Sequence, residues 1–233
     1  SNPSGQWVGD VDTNWFNCAN WSGLAVPDAN TDVIITASAT NVARVDYTAA
    51  YSDNYTDLAV CNNISILGSK VELFASNNNI LEVFGDLLID TSGVLDMDDA
   101  NSATADGQLL LHGNWTNNRT NDAFEEGNGT IVFKGITDQV INAVAPEGTE
   151  VFYDVIMNNN FITSVSNNLI ASGDLLVEVG KMITISADDY IQVNNDLTVD
   201  GTLTVLNDGS LIQVNDLDAN VGTISYERIA SIR

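Results

Sequence analysis

Apolar and polar residues alternate in short segments that recur along the middle of the chain. In each segment two apolar residues, two positions apart, flank one residue that faces the other way, as in Leu109/Leu111 and Leu175/Val177. This is the side-chain period of a β-strand with one buried face. Further pairs of this kind are Leu87/Ile89, Ile131/Phe133 and Leu197/Val199. The alternation predicts a series of short, half-buried strands.

These segments follow a repeat of about twenty-two residues. The positions on this register are Gly85, Gly107, Gly129, Gly173 and Asn195, with residues 154–157 filling the missing turn at a shift of two. A fixed period in this range is typical of stacked supersecondary units. With about three short strands per repeat, we predict an all-β fold, a right-handed parallel β-helix (β-solenoid) with coils of about 20–22 residues. A β-sandwich, which also has many short strands with regular turns, is the alternative.

Glycine and asparagine separate the strands. Both residue types adopt positive φ at low cost, so we expect them at sharp corners, where stacked Asn side chains can also bond from coil to coil. The glycines are Gly85, Gly93, Gly173, Gly180, Gly201 and Gly209, and the asparagine pairs include Asn62-Asn63 and Asn194-Asn195. Polar stretches predict loops at residues 96–106, 114–128 and 145–150.

The first 35 residues differ from the rest because they hold Trp7, Trp15 and Trp21 in a turn-rich setting. A solenoid exposes the apolar end of its core and needs a cap, which three large aromatic rings would supply. Exposed tryptophans could instead stack on sugar rings. We therefore predict a cap over residues 1–35, a β-helix over residues 36–225, and the start of a linker to a further module over residues 226–233.

The charge balance excludes several partners. The chain of 233 residues has 7 basic and 32 acidic side chains, a formal charge of −25. Such a surface repels nucleic acid and anionic membranes, and it suits a secreted protein that must stay soluble or one that gathers Ca²⁺. No run of about 20 apolar residues predicts membrane insertion. The start at Ser1 without a signal peptide suggests a mature or excised piece of a longer secreted protein.

Two cysteines, Cys18 and Cys61, lie in the N-terminal third. In an extracellular chain such a pair indicates one disulfide, here tying the cap to the first coil. Two unrelated buried thiols are the alternative.

A calcium site is a second hypothesis from composition. Asp96, Asp98, Asp99 and Asn101 place several oxygen ligands on one short stretch. The stretch departs from the EF-hand pattern because Ala100 takes the fifth position and no glutamate closes it. A solvated acidic loop is the alternative, and no other cofactor is predicted.

The residue between the two inward positions of each repeat should point outward. These residues form an apolar series of Leu88, Leu110, Val132, Ile156 and Leu176, which Thr198 ends. A contiguous apolar stripe on a surface usually contacts a partner. We hypothesise that another chain, another module or a loop of this chain covers it. The strand propensity of Leu and Val would also account for the series.

Catalysis is not predicted. Parallel β-helices host polysaccharide lyases and hydrolases, which need grouped carboxylates with basic residues on one outer face. This chain has one histidine, His112, and its basic residues are scattered in sequence. We therefore predict no catalytic residues.

Several motifs resemble the β-helical segments of secreted surface proteins from Bacteroidota, which are exported by the type IX secretion system and include gliding adhesins. The resemblance rests on residues 15–23 (WFNCANWSG), Val26-Pro27 with residues 32–35 (DVII), and residues 61–66 (CNNISI). It continues in residues 112–118 (HGNWTNN), 127–133 (GNGTIVF) and 210–214 (SLIQV) with 222–224 (GTI). The resemblance covers nearly the whole chain and brings no catalytic residues with it.

From the resemblance we expect a non-catalytic extracellular stalk or adhesin module at the cell surface. Its partners would be other modules of the same polypeptide, surface glycans, or the secretion and motility machinery. The alternative is a carbohydrate-binding module that uses the tryptophans or the acidic face. A polysaccharide-degrading enzyme is the third hypothesis.

Overall fold

Parallel strands stacked as a β-solenoid of about six turns make up the protein, which confirms the predicted fold class. A computed structural model describes residues 5–45, 58–73, 79–90, 92–98, 107–119, 123–144, 148–215 and 221–228. The strands of the first half are β1 (Gln6–Trp7), β2 (Val33–Ile35), β3 (Ala43–Arg44), β4 (Leu58–Cys61), β5 (Ile64–Ile66), β6 (Lys70–Glu72), β7 (Ile80–Val83), β8 (Leu87–Ile89), β9 (Val94–Asp96), β10 (Gln108–Leu111), β11 (Trp115–Asn117) and β12 (Phe124–Glu125). Those of the second half are β13 (Thr130–Phe133), β14 (Gln139–Ala143), β15 (Thr149–Phe152), β16 (Asp154–Met157), β17 (Ile162–Val165), β18 (Asn168–Ala171), β19 (Leu175–Val177), β20 (Met182–Ile185), β21 (Tyr190–Val193), β22 (Leu197–Val199), β23 (Thr202–Val205), β24 (Ser210–Gln213) and β25 (Thr223–Tyr226).

The strands form three faces. One face is a ten-stranded sheet in the order β1-β2-β5-β8-β11-β14-β17-β20-β23-β25, and the second is a seven-stranded sheet in the order β4-β7-β10-β13-β16-β19-β22. The third face is divided into two sheets, β3-β6-β9-β12 and β15-β18-β21-β24. Strands β12 and β15 belong to consecutive coils but do not pair, so the third face is interrupted at this point.

The repeat register is confirmed from Gly107 onward and is wrong at Gly85. Segments after Gly107, Gly129, Gly173 and Asn195 all lie in the seven-stranded sheet. The segment after Gly85 is β8, in the ten-stranded sheet, and the strand that pairs with β10 is β7. The coil that joins Ile80 to its paired residue Gln108 is longer than the repeat, so a constant spacing counted back from Gly107 falls on the wrong strand.

Coil length varies more than the repeat predicts. Along the seven-stranded sheet, the longest coil joins β7 to β10, the next longest joins β13 to β16, and the shortest joins β16 to β19. Residues 99–106 and 145–147, in the two longest coils, lie outside the described part of the chain. Two of the predicted loops are partly wrong, because β11 and β12 lie within residues 114–128 and β15 begins at Thr149.

Glycine occurs at most of these corners for a reason other than the positive φ that was predicted. Of the six glycines named above, only Gly180 has a positive φ, of 73°. At Gly93 and Gly201 a Cβ atom would instead collide with the backbone carbonyl oxygens of Ile66 and Lys181 in the preceding coil. Close approach between coils, rather than backbone handedness, therefore selects glycine at these corners.

Asparagine and aspartate side chains do bond from coil to coil. Asp32 Oδ1 accepts hydrogen bonds from the side-chain amides of Asn62 and Asn63, each at 2.8 Å. Asp86 Oδ1 accepts from the backbone and side chain of Asn114 at 2.7 and 3.1 Å. The bonds of Asp32 and Asp86 cross the corner at which the seven-stranded sheet turns into the ten-stranded sheet. At the corner between the third face and the seven-stranded sheet, Asp174 Oδ1 accepts from the Asn195 amide at 2.6 Å.

The alternating inward residues of all three faces form one continuous core. It includes the predicted pairs Leu109/Leu111, Leu175/Val177 and Leu197/Val199, each 0% exposed. The tryptophans of the N-terminal segment belong to the same cluster. At the other end, the last strands β24 and β25 are mostly exposed.

Candidate functional site

The tryptophans proposed as a sugar-stacking platform lie in the core. Trp7, Trp15 and Trp21 are each 0% exposed. Trp21 meets the other two rings edge-on, with ring centroids 5.0 Å from Trp7 and 4.8 Å from Trp15. The Trp7 indole also donates to the Asn41 carbonyl at 2.7 Å. Because a buried ring face cannot stack on a sugar, the prediction that these three tryptophans form a glycan-stacking platform is wrong, while the cap over residues 1–35 stays a prediction.

The predicted disulfide is also wrong, since Cys18 and Cys61 are free thiols. Cys18 begins a short 3₁₀-helix, Cys18–Asn20, and is exposed, whereas Cys61 faces the core at the end of β4. Burial, and to a smaller extent the charge of Asp32, raises the pKa of the Cys61 thiol. One thiol is thus exposed to solvent and the other is buried in the core.

The proposed calcium ligands divide into two described and two undescribed residues. Asp96 Oδ2 accepts from Lys70 Nζ at 2.6 Å, and its Oδ1 accepts from the Asp98 backbone at 2.9 Å. Asp99 and Asn101 lie outside the described residues. Within the described residues, no group of three or more His, Cys, Asp or Glu side chains is placed to hold a metal ion. A calcium site at this stretch stays a prediction.

The apolar stripe is shorter than predicted. Leu110, Val132, Ile156 and Leu176 pair in consecutive strands of the seven-stranded sheet. Leu88 does not belong to this row, because it lies in the ten-stranded sheet between Ser65 and Thr116. Glu82 takes the position next to Leu110, and Thr198 follows Leu176. The stripe therefore has four members, of which Val132 is buried and the others are half-buried.

Beside this stripe the fold assembles a charged cluster that is scattered in sequence. Glu82 Oε1 lies 2.8 Å from His112 Nε2 and 3.2 Å from Lys134 Nζ. The ring of Phe84 stacks on His112 with centroids 4.9 Å apart. Burial alone would raise the pKa of Glu82, but the bonds from His112 and Lys134 outweigh it and lower the pKa. The sequence did not predict this cluster, because the constant repeat paired β10 with β8. The coil between β7 and β10 is longer than the repeat, and β10 in fact pairs with β7, which carries Glu82.

A cavity lies where the third face is interrupted. It has a volume of about 780 Å³, within the range of small-ligand sites, and it opens between β12 on one side and β15 with β18 on the other. Glu125 and Glu126 line one wall, and Thr149, Ile170 and Tyr190 line the other. We call this cavity the junction cleft.

The base of the junction cleft is a buried carboxyl group. Glu150 is 5% exposed and occupies an inward position of β15, where the paired residue of the next strand is Leu169. Its Oε2 accepts hydrogen bonds from Trp115 Nε1 at 2.7 Å and from Asn117 Nδ2 at 3.0 Å. Both donors come from β11, at inward positions that neighbouring strands fill with Leu, Ile or Ala. A polar group is thus built into an otherwise apolar core.

Burial shifts the pKa of two carboxyl groups around the junction cleft. Burial raises the pKa of Glu150 to about 7, against the hydrogen bonds from Trp115 and Asn117, and the charge of Glu126 adds to the rise. Burial also raises the pKa of Glu125, against its bond from Lys70, and nearby Asp96 raises it further. No lysine, arginine or histidine is among the described residues that line the cleft.

The sequence contained one signal for this site that the loop prediction missed. Glu150 and Phe152 alternate with Thr149 and Val151 in the strand pattern, and Phe152 is fully buried. Side chains two positions apart in a strand point to the same face. Because Phe152 faces the core, Glu150 must face the core as well. Assigning residues 145–150 to a loop removed that inference.

The chain matches no protein-family model, and no curated protein or solved structure is significantly similar to it. Across the described residues, no helix has the length and apolar character needed to cross a membrane.

Proposed function

We propose that this chain is a rigid, non-catalytic structural module of a secreted cell-surface protein, a stalk or a presenting segment. One observation carries the proposal: seven strands from Leu58 to Val199 stack in parallel without a break. Each coil of such a solenoid contacts mainly its neighbours, so the number of coils sets a fixed distance between the ends. The formal charge of −25 keeps such a module soluble and repels anionic polymers.

The surrounding assembly is proposed from the resemblance alone. It supports an extracellular location, export by the type IX system, and other modules of the same polypeptide as partners. A role in gliding adhesion belongs to the same proposal.

The charged cluster on the seven-stranded sheet favours a structural role over a catalytic one. A single oxygen of Glu82 accepts from both His112 and Lys134, so the acidic and basic groups are already paired with one another. Paired groups of this kind stabilise neighbouring coils, since the three residues lie on consecutive coils. The cluster therefore supports a stalk.

Carbohydrate binding is the second candidate, and it rests on the junction cleft instead of the tryptophans. The cleft offers carboxylate, amide and hydroxyl groups beside apolar wall residues such as Ile170. Mixed polar and apolar walls of this kind suit a sugar ring.

The structural proposal predicts that length can be changed by whole coils. Deleting residues 175–196 removes one complete coil and brings Leu197 to the position of Leu175, with which it pairs. Since strands of neighbouring coils are about 4.8 Å apart, the distance between the two ends should fall by about 5 Å. Energy transfer between dyes on Cys18, which is exposed, and on a Ser225→Cys variant measures this change.

A half-coil deletion of residues 175–185 is the matched control, because it brings strands of different faces together and should unfold the C-terminal coils. If the whole-coil deletion unfolds equally, or leaves the distance unchanged, the chain is not a modular spacer. A test for catalysis is to incubate the chain with a panel of polysaccharides and to measure new reducing ends. If the chain releases such ends and the Glu82→Gln variant does not, the protein is an enzyme and the structural proposal is wrong.

A further inference from the structure

Among the described residues, no outward position of the ten-stranded sheet carries a charged side chain, although the chain has a formal charge of −25. The other faces do carry charge at such positions, for example Asp154 on the seven-stranded sheet and Lys70 and Glu72 on the third face. The composition of the chain therefore does not explain the neutral face. The described outward side chains of the ten-stranded sheet are Gln6, Ile34, Ser65, Leu88, Thr116, Val140, Asn142, Ser164, Met182, Thr184, Thr202, Thr204, Thr223 and Ser225.

The last four strands of this sheet repeat hydroxyl groups in two directions. Strands β17, β20, β23 and β25 pair residue for residue, so their outward side chains form two rows across the strands. Neighbours within a row are about 4.8 Å apart, and the two rows are about 6.6 Å apart, because residues two positions apart share a face. We call these side chains the hydroxyl face: Ser164, Thr184, Thr204 and Ser225 in the first row, and Met182, Thr202 and Thr223 in the second.

The hydroxyl groups of this face have restricted directions and reach solvent. Thr184 and Thr204 are half-buried, and Thr223 and Ser225 are exposed. Threonine is stiff at χ1, so its hydroxyl and methyl groups can keep the same direction from one coil to the next. Strand propensity favours Val, Ile and aromatic residues as much as Thr, yet the first row contains only Ser and Thr. Propensity alone therefore does not account for the row.

We propose that the hydroxyl face binds the surface of ice. Distances of the same size as those between its hydroxyl groups separate equivalent water molecules on the faces of an ice crystal. A hydroxyl group donates one hydrogen bond and accepts two, so it can take the place of a water molecule in such a lattice. A charged side chain would instead lose part of its hydration on contact with ice, which costs free energy. This site is additional to the spacer role and does not depend on it.

Two other occupants fit the hydroxyl face less well. Flat polysaccharide surfaces are bound through aromatic rings, and no described outward position of the ten-stranded sheet holds an aromatic residue. A second copy of the chain would bring two formal charges of −25 together. It would also meet a row of hydroxyl groups instead of the apolar centre that is typical of stable dimers.

Adsorption of the whole chain to a growing ice crystal tests the proposal. A dye on Cys18, which is exposed and lies outside the hydroxyl face, reports whether the chain is taken up by the ice or stays in the liquid. Inhibition of ice recrystallisation by the unlabelled chain is the second readout. We expect the parent chain to be concentrated on the ice and to inhibit recrystallisation.

Two pairs of variants locate the contact. Thr204→Tyr places a bulky ring in the first row and should abolish both effects, whereas Thr198→Tyr makes the same change at an outward position of the seven-stranded sheet and should behave as the parent does. Thr204→Lys and Thr198→Lys repeat the comparison with a charge. Circular dichroism and thermal unfolding of each variant show whether it is folded.

A parent chain that stays in the liquid, or equal adsorption by folded Thr204→Tyr and Thr198→Tyr, would overturn the proposal. Retention on crystalline chitin that Thr204→Tyr loses, without adsorption to ice, would assign the face to a polysaccharide. A dimer in sedimentation that Thr204→Tyr dissociates would assign it to a second copy. None of these results bears on the distance measured in the coil-deletion experiment, so the two proposals fail separately.

Discussion

Two coils of this solenoid place different kinds of side chain at the same inward position of the third face, one apolar and one ionisable. In the coil that contains β21, Ile191 fills its inward position and is 0% exposed. In the coil that contains β15, Glu150 takes the equivalent position and recruits Trp115 and Asn117 as donors. The regular coil gives continuous pairing of β18, β21 and β24, whereas at the coil of Glu150 the third face is interrupted. Regular coils set length, and the irregular coil creates a cavity.

The energetic consequences of the two solutions differ in their dependence on pH. Burial of Ile191 is an apolar term that no proton alters. Burial of Glu150 disfavours its charged form, so the free energy of unfolding of the coil that contains β15 depends on whether Glu150 is protonated. The comparison can be tested by changing one residue on each side.

The largest expected effect belongs to the regular coil. Ile191→Ala removes a fully buried side chain and should lower the free energy of unfolding by about 2–5 kcal/mol, through lost burial and a residual cavity. Denaturant unfolding at pH 5 and pH 8 measures the loss, which should be the same at both. A loss that changed with pH would mean that the regular coils are coupled to the titration of Glu150.

Glu150→Gln should have a smaller effect with strong pH dependence. The pKa of Glu150 is raised from 4.5 to about 7 in the folded state, so its stabilising contribution is full below pH 4.5 and is lost as pH rises through 7. At pH 8 the variant should therefore be more stable than the parent by about 3 kcal/mol. At pH 4 the two should be nearly equal, because a protonated carboxyl and an amide are both neutral.

Unfolding curves of the two chains from pH 4 to pH 8 check this expectation, with Glu178→Gln as the control outside the cleft. A constant difference over this range would show that Glu150 does not titrate near neutrality. A loss of stability at pH 8 would show that the cleft requires the charged carboxylate even without a ligand.

The smallest effect is expected at an exposed corner, where Asp32 bonds to Asn62 and Asn63. Hydrogen bonds from Asn63 and Asn62 lower the pKa of Asp32, so its contribution is present at neutral pH and is lost as pH falls below 3.8. Because the group is exposed, Asp32→Ala should cost less than about 1 kcal/mol at pH 7. Thermal unfolding at pH 7 and pH 3, with Glu227→Ala as an exposed control, should show a larger difference at pH 7 than at pH 3.

Much of the fold could be predicted from local pattern, and the errors have specific physical causes. Strand alternation correctly places Leu109/Leu111 and Leu175/Val177 in the core, because side-chain direction in a strand follows from two-residue periodicity. The register at Gly85 failed because the coil from β7 to β10 is longer than the others, and constant spacing cannot detect an insertion between strands. Leu88 was assigned to the wrong face for the same reason.

The candidate site was harder to predict than the fold. Glu82, His112 and Lys134 lie on three different coils, far apart in sequence, and only the stacking of coils brings them into contact. Glu150, Trp115 and Asn117 meet in the same way across the interior. Their residue types gave no motif, because contacts between coils depend on coil length and not on local spacing.

The sequence by itself determined an all-β solenoid with a tryptophan-rich beginning and an acidic surface, since alternation, repeat period and net charge are properties of neighbouring residues or of composition. Tertiary structure alone decided that Cys18 and Cys61 are free thiols, that Trp7, Trp15 and Trp21 are buried, and that Glu150 lies at the base of a cleft. These outcomes depend on which coils are adjacent and which way each side chain faces. In a solenoid, a single coil of unusual length changes both.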